Sequence, residues 1–299
     1  MSSPEQPKVI LFDIGGVCVL SPFQTVLDYE LRSNIPPGWI NYSISKSAPD
    51  GSWQRLERGE IPLDAAFFRA FNADLHIQSH WEAFYQREAA RNPNLTSSSS
   101  SIPNPSPSPS HEPNPHADPP AIPPLPRIDG EWLFNAMMTN SQAPDPWVLP
   151  ALHALRASGQ YVLAALSNTF IFPLGHPLHA PEFLADPVRR LFDVFVSSAH
   201  VGMRKPEPRM YEHALQELDA HARSRGLPGR LAPRDVLFLD DIGENLKEAR
   251  RQGFRTIKVP LGRSFEAVDQ LEAVTGLRLH GSHPRIAVEP SYTKPKAKI

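Results

Sequence analysis

Asp13, Ser167, Asn168, Lys205, Asp240 and Asp241 are the residues whose types and places could do chemistry together. Asp13 closes the apolar run 9–12, and Gly15 and Gly16 follow it. A carboxylate at the carboxyl end of a buried parallel strand sits where open α/β sheets bind ligands. An Asp also caps turns in many chains, and this motif alone leaves both readings open. The two glycines let the backbone turn sharply and approach a bound group closely. Ser167 and Asn168 end a second apolar run, 161–166. A hydroxyl and an amide can hydrogen-bond phosphate oxygens without adding charge. Lys205 lies in a proline-flanked loop ahead of a helix expected at about 208–218, because the first turn of a helix accepts proline and its interior does not. Asp240 and Asp241 end the run 235–239. Adjacent carboxylates repel and raise each other's pKa unless a cation sits between them and other ligands.

The elements that must position these groups follow from periodicity. Runs at 9–12, 161–166, 192–197, 235–239 and 255–259 read as five strands with helices between them. That pattern gives an α/β fold with a doubly wound, mostly parallel, Rossmann-like sheet. Between the first two strands the pattern is helical, at 23–33, 51–59, 63–73, 80–91 and 130–140, with Pro62 placed for a first turn. Residues 147–158 return the chain to the sheet. The expected organisation is a core at 8–19 and 147–275, an inserted helical cap at 20–146, and an irregular tail at 276–299. Trp53, Phe67, Phe68, Phe71, Trp81, Phe84 and Tyr85 are expected to build the cap's own core. The loop 170–182 is long for a connection inside a domain, and His176 and His179 read as loop-packing residues. Arg204 reads as a surface charge. For Asn245, hydrogen bonding to the carboxylates and helix capping are both open.

Taken in order, Asp13, Ser167, Lys205 and Asp240–Asp241 resemble the four motifs of the haloacid dehalogenase superfamily of hydrolases. Residues 238–247, Ser167-Asn-Thr169 and Leu56-Glu-Arg-Gly-Glu60 are most similar to the branch that includes the amino-terminal phosphatase domain of soluble epoxide hydrolase. The resemblance covers about 8–275 apart from one insert. It implies a hydrolase of small phosphate monoesters that uses magnesium and passes through an aspartyl phosphate. It makes Asp13 the nucleophile and Lys205 the charge set against nucleophile and phosphate. Ser167 and Asn168 would hold phosphoryl oxygens. Asp13, Asp240, Asp241 and the Gly15 carbonyl would hold the metal. One departure bears on rate: these phosphatases carry a second Asp two residues after the nucleophile, which protonates the leaving alkoxide, and here that position is Gly15. Losing such a group costs about 10²–10⁴-fold. Two other readings therefore stand beside the phosphatase: a catalytically weak binding or scaffold protein of the same fold, and a carbon–halogen hydrolase, against which the paired carboxylates argue.

Composition narrows the partners. Lys plus Arg is 30 and Asp plus Glu is 32 in 299 residues, which is no electrostatic footprint for nucleic acid. No run of 18 apolar residues exists, so no membrane span is expected. The one cysteine, Cys18, excludes an internal disulfide and reads as a packed, inert thiol. With no signal-like amino terminus, a cytoplasmic location is expected. Ala297-Lys-Ile299 loosely resembles the peroxisomal Ser-Lys-Leu address and makes that compartment the alternative.

Between residues 92 and 127, 12 of 36 residues are Pro and 8 are Ser, too little apolar surface to offset the entropy of ordering. The stretch reads as a disordered insert, with a proline-recognising protein as its only candidate partner. His111 and His116 within it read as solvated. Joining Arg91 to Ile128 through a short linker is expected to leave the melting temperature nearly unchanged.

Overall fold

Alternation along the first strand, β1 (Val9–Phe12), buries it on both faces: Val9 and Leu11 enter one apolar cluster, Ile10 and Phe12 another. The same holds for β2 (Val162–Ser167) and β4 (Val236–Asp240). With β3 (Val194–Ser197) and β5 (Arg255–Lys258) they form a five-stranded, all-parallel sheet in the order β3-β2-β1-β4-β5. This computed structural model describes residues 6–91, 122–176, 178–179, 186–226 and 229–288. The expected doubly wound sheet is present, and β1 lies at its centre, where side chains from three strand ends can converge.

Among the described residues, the first six helices after β1 are α1 (Pro22–Arg32), α2 (Trp39–Lys46), α3 (Ser52–Glu57), α4 (Ala65–Leu75), α5 (Gln78–Arg91) and α6 (Gly130–Asn140). They share a separate apolar cluster that includes Trp39, Phe67, Phe71, Trp81, Phe84 and Phe134, with Trp53, Phe68 and Tyr85 packed against it. The aromatic residues named from sequence are thus cap core. One helix, α2, was not expected. Its amino-terminal amides are capped from a distance: the buried Glu30 of α1 accepts from the Gly38 and Ile40 backbone N–H at 2.7 and 2.8 Å. A cap supplied by another helix leaves no local signal. The start of α4 also differs: Asp64 accepts from the Ala66 and Phe67 backbone N–H, so Pro62 precedes the helix and is outside its first turn.

Beyond the cap, α7 (Val148–Ser158) and α11 (Phe265–Thr275) cover one face of the sheet. The other face is covered by α9 (Pro208–Ser224) and α10 (Gly243–Arg251). A single turn, α8 (Ser198–Val201), follows β3. Helix α9 runs past the expected end near 218 because Leu218 and Ala222 stay buried. Asp219 accepts from the Leu231 N–H at 2.8 Å and ties the helix to the returning chain. The described residues after α11, 276–288, form no helix or strand, yet they pack: Leu279 is buried, Trp147 Nε1 donates to the Pro284 carbonyl at 3.1 Å, and Val288 N donates to Gly262 O at 2.9 Å.

The compositional boundary of the insert needs correction. Residues 122–127 are part of the cap: Ile122 and Leu125 pack on its core, Ile128 is buried, and Trp81 Nε1 donates to the Pro123 carbonyl at 2.7 Å. Proline-rich chain lacks backbone donors, so it packs through its apolar faces and its carbonyls. The deletion expected to leave the melting temperature unchanged is therefore 92–121. One that also removes 122–127 is expected to lower it, and thermal melts of the two deletions check this. Residues 92–121, with His111 and His116, and the terminal Ala297–Ile299 lie outside the described residues. No described helix is long and apolar enough to cross a membrane.

Candidate active site at the carboxyl edge of the sheet

Register brings the strand ends level. Phe12 pairs with Ala165 of β2 and Leu239 of β4, and Asp13 N donates to Leu239 O at 2.8 Å. Asp13 is therefore set between β2 and β4 and is 6% exposed. Its Oδ1 accepts from Ile14 N at 2.7 Å and faces Lys205 Nζ at 2.8 Å. Lys205 is 1% exposed, and its ammonium also donates to Asp240 Oδ2 at 2.8 Å. Cys18 Sγ donates to the Asp13 carbonyl at 3.1 Å. That thiol is buried, and burial pushes its pKa up, as expected of an inert packing residue.

The paired carboxylates divide their work. Asp240 is fully buried, and its oxygens accept from Lys205 Nζ, from Ile242 N at 2.7 Å and from Asn245 Nδ2 at 3.1 Å to each oxygen. A carboxylate offers about four lone-pair sites, so protein donors fill Asp240. Asp241 is the opposite case: its Oδ1 is buried and has no hydrogen-bond partner. Carboxylate oxygens of Asp13, Asp240 and Asp241 come within 4.8 Å of one another. Gly16 lines the same space, with φ +79° and so little room that a Cβ would fall 2.3 Å from Asp241 Oδ2. An unpartnered buried oxygen in an all-oxygen set, kept open by a glycine, fits a hard divalent cation. Asp13 and Asp241 have oxygens to offer it; Asp240 holds Lys205 and completes the charge.

Ser167 is the last residue of β2 and Asn168 follows it. Ser167 Oγ is buried and donates to the Asn168 carbonyl at 3.3 Å. The Asn168 side chain brackets the Lys205 backbone, accepting from Lys205 N at 2.8 Å and donating to Lys205 O at 3.1 Å. One Nδ2 hydrogen remains for another acceptor. A cleft of about 410 Å³ opens beside Asp241, lined by Phe23, Ile242, Lys258, Pro260 and Arg263. In the loop after Phe170, the His176 ring packs tilted against Phe172, and His179 Nδ1 meets the Phe172 carbonyl. Both histidines are loop-packing groups.

The family model for haloacid dehalogenase-like hydrolases matches residues 7–253. The chain belongs to this family. The chain is 28% identical over 276 residues to acyl-CoA dehydrogenase family member 10 of Mus musculus, which covers 91% of this chain and 20% of that protein. It is 24% identical over 273 residues to bifunctional epoxide hydrolase 2 of Sus scrofa, covering 91% of this chain and 39% of the relative. It therefore spans between a fifth and two fifths of the length of these relatives. Among solved structures it resembles a HAD-like hydrolase from Porphyromonas gingivalis, with 18% identity, a TM-score of 0.47 and coverage of 89% and 98% of the two chains. It also resembles a HAD family enzyme from Bacteroides thetaiotaomicron solved with magnesium and inorganic phosphate, with 17% identity, a TM-score of 0.46 and coverage of 88% and 98%.

Electrostatics give the site a pH dependence. Burial raises the Asp13 carboxyl from near 3.8 to about 7; Lys205 opposes the shift and Asp240 adds to it. Burial, then the charges of Asp13 and Asp240, also push Asp241 up. For Lys205, burial alone would lower the ammonium's pKa, but Asp13 and Asp240 outweigh it and hold it above its ordinary value. In the cap, burial raises Glu30 to about 7. Between the unfolded and folded values the native state binds more protons than the unfolded chain, so this stability is full below about pH 4 and lost as the pH rises through about 7. The melting temperature without added metal is expected to fall from about pH 5 to about pH 8. Magnesium chloride is expected to raise it more at the higher pH, because a cation needs the carboxylates deprotonated. Equal stabilisation at both pH values would contradict the assignment of Asp13 and Asp241 to a cation.

Three residues at the site were not legible as partners. Asn245 was open between two roles, and its amide is on Asp240. Arg204 is no surface charge: its side chain is 18% exposed and its Nε meets Glu57 Oε2 of the cap at 2.5 Å. Glu57 lies 147 positions earlier in the chain, so no local pattern announces the pair. The only available hint was that both Arg204 and Glu57 sit inside motif-like segments.

Proposed function

We propose that this protein is a magnesium-dependent phosphatase of small phosphate monoesters that works through an aspartyl phosphate on Asp13. One observation carries this reading: a buried carboxylate and ammonium, Asp13 and Lys205, stand 2.8 Å apart in the same cluster as the unpartnered Asp241 oxygen. Magnesium, when bound, supplies positive charge that offsets the repulsion between a phosphate dianion and a carboxylate. Asp13, Asp241 and the Gly15 carbonyl would hold it.

Asp13 Oδ1 is held by Ile14 N and Lys205, which leaves Oδ2 to attack. The Oδ2–phosphorus bond forms as the ester P–O bond breaks, and the alkoxide leaves with that electron pair and takes its proton from water, since Gly15 offers none. Water then attacks phosphorus, releases inorganic phosphate and restores the Asp13 carboxylate. Lys205 keeps its proton and acts as a fixed charge facing nucleophile and phosphoryl oxygens. Ser167 and the spare Asn168 hydrogen would orient those oxygens. Burial of Asp13 and Lys205 strengthens each of these interactions by excluding water.

Gly15 favours one other reading, a catalytically weak binding protein of the same fold. Turnover of p-nitrophenyl phosphate and of a panel of phosphorylated metabolites, with and without magnesium, separates the two. Magnesium-dependent phosphate release is the expected result. Binding of phosphate esters without turnover would favour the weaker reading. Halide release from 2-haloacids without metal would favour a carbon–halogen hydrolase.

A further inference from the structure

We infer that Glu57 of the cap is a positioning residue for Lys205, acting through Arg204, so that the docked cap sets the Lys205 ammonium in place. The inference rests on the reading of Lys205 given above and adds a residue from outside the sheet.

Lys205 is held at its backbone from the core side, by both ends of the Asn168 amide. The residues flanking it are held from the cap side. Before it, Arg204 Nε meets Glu57 Oε2 at 2.5 Å, and the Glu57 side chain is only 7% exposed. After it, Glu207 Oε1 lies 3.7 Å from Arg58 Nη1, and Arg58 is anchored in the cap by a hydrogen bond to the Pro49 carbonyl at 3.0 Å. The Glu57 carbonyl accepts from the fully buried Ser198 Oγ at 2.6 Å. The same hydroxyl accepts from Thr169 N at 2.8 Å, which links the cap to the strand end carrying Ser167 and Asn168. Gly59 closes the junction: with φ +67° its backbone approaches Ala199 so closely that a Cβ would fall 2.3 Å from the Ala199 carbonyl oxygen.

The contacts have a direction. Lys205 Nζ must meet two carboxylates at once, each at 2.8 Å. A displacement of about 1 Å at such a group can cost about 100-fold in rate. Removing the charge of Glu57 leaves a largely buried guanidinium unpaired, and the loop carrying it must then move toward water. A simple latch would change stability and substrate affinity. A positioning contact changes the order of the Lys205 loop and the rate.

The test uses the full chain carrying Glu57→Gln, which keeps shape and removes charge. Hydrogen exchange is read over residues 203–207, where the Lys205 amide bonds to Asn168. Exchange there is expected to quicken by about fivefold or more while β1 and β4 are unchanged. With magnesium and p-nitrophenyl phosphate, kcat is expected to fall by about tenfold or more with KM within about twofold. Arg204→Lys, which keeps the charge but loses the guanidinium geometry, is expected to show the same signature more weakly. The exchanged pair Glu57→Arg with Arg204→Glu is expected to recover part of the loss. Unchanged exchange at 203–207 would overturn the inference, as would a uniform rise across cap and core. A wild-type protein without turnover would instead refute the phosphatase reading, and the exchange measurement would still decide the role of Glu57.

Discussion

Asp13→Asn is expected to abolish phosphate-ester hydrolysis, by about 10⁴-fold or more, and to leave the fold in place. The amide has the shape of the carboxylate but cannot form a phosphoryl-enzyme. Lys205 would keep Asp240 at 2.8 Å, so its ammonium is not left unpaired. The wild-type carboxyl sits in a place that disfavours its charged form, with a pKa raised to about 7 by burial, and a neutral amide removes that cost. The melting temperature at pH 8 is therefore expected to stay within a few degrees of wild type. Rate assays, circular dichroism and thermal melts check both halves. Substantial remaining turnover in a folded variant would sink the nucleophile assignment.

Gly15→Asp is expected to raise turnover, and the gain should depend on the leaving group. Position 15 has room: a Cβ there would meet only Pro22 Cδ and Cγ, at 3.7 and 3.9 Å, which is ordinary contact. Its backbone is also outside the left-handed region that would oppose a side chain. An alkoxide is a poor leaving group unless it is protonated as the P–O bond breaks. A positioned carboxylic acid supplies that proton and contributes about 10²–10⁴-fold in favourable cases. Alkyl phosphates are expected to gain about tenfold or more. p-Nitrophenyl phosphate, whose leaving group needs little protonation, should gain less. The measurement is kcat for a series of esters with rising leaving-group pKa, and the variant's dependence should be shallower than that of wild type. A variant that folds, binds magnesium and is no faster on alkyl esters would show that another group already supplies the proton.

The sequence by itself determined the sheet and the positions of the candidate site residues, because both are written in short-range patterns. A parallel strand buried on both faces is a continuous apolar run, and a polar residue that ends it lies at the ligand-binding edge. Asp13, Ser167 and Asp240–Asp241 were placed that way. Lys205 was placed by the prolines around it. The cap core was equally legible, because aromatic residues at helical spacing share a face.

Only the tertiary structure decided how those groups share their hydrogen bonds. Asp240 and Asp241 are neighbours of one type, yet protein donors fill the first and leave an oxygen of the second unpartnered. Nothing in two adjacent aspartates distinguishes them until Lys205 and Asn245 arrive from other elements. Asn168 reads as a phosphate ligand in sequence, but most of its amide is engaged by the Lys205 backbone. Arg204 reads as solvated until the cap brings Glu57 to it across 147 positions. Helix α2 and the packed segment 122–127 follow the same rule, since their anchors, Glu30 and Trp81, belong to other helices. Periodicity reports which face of an element is buried; which donor meets which acceptor depends on strand order and cap docking, and those are set by the packing of the whole chain.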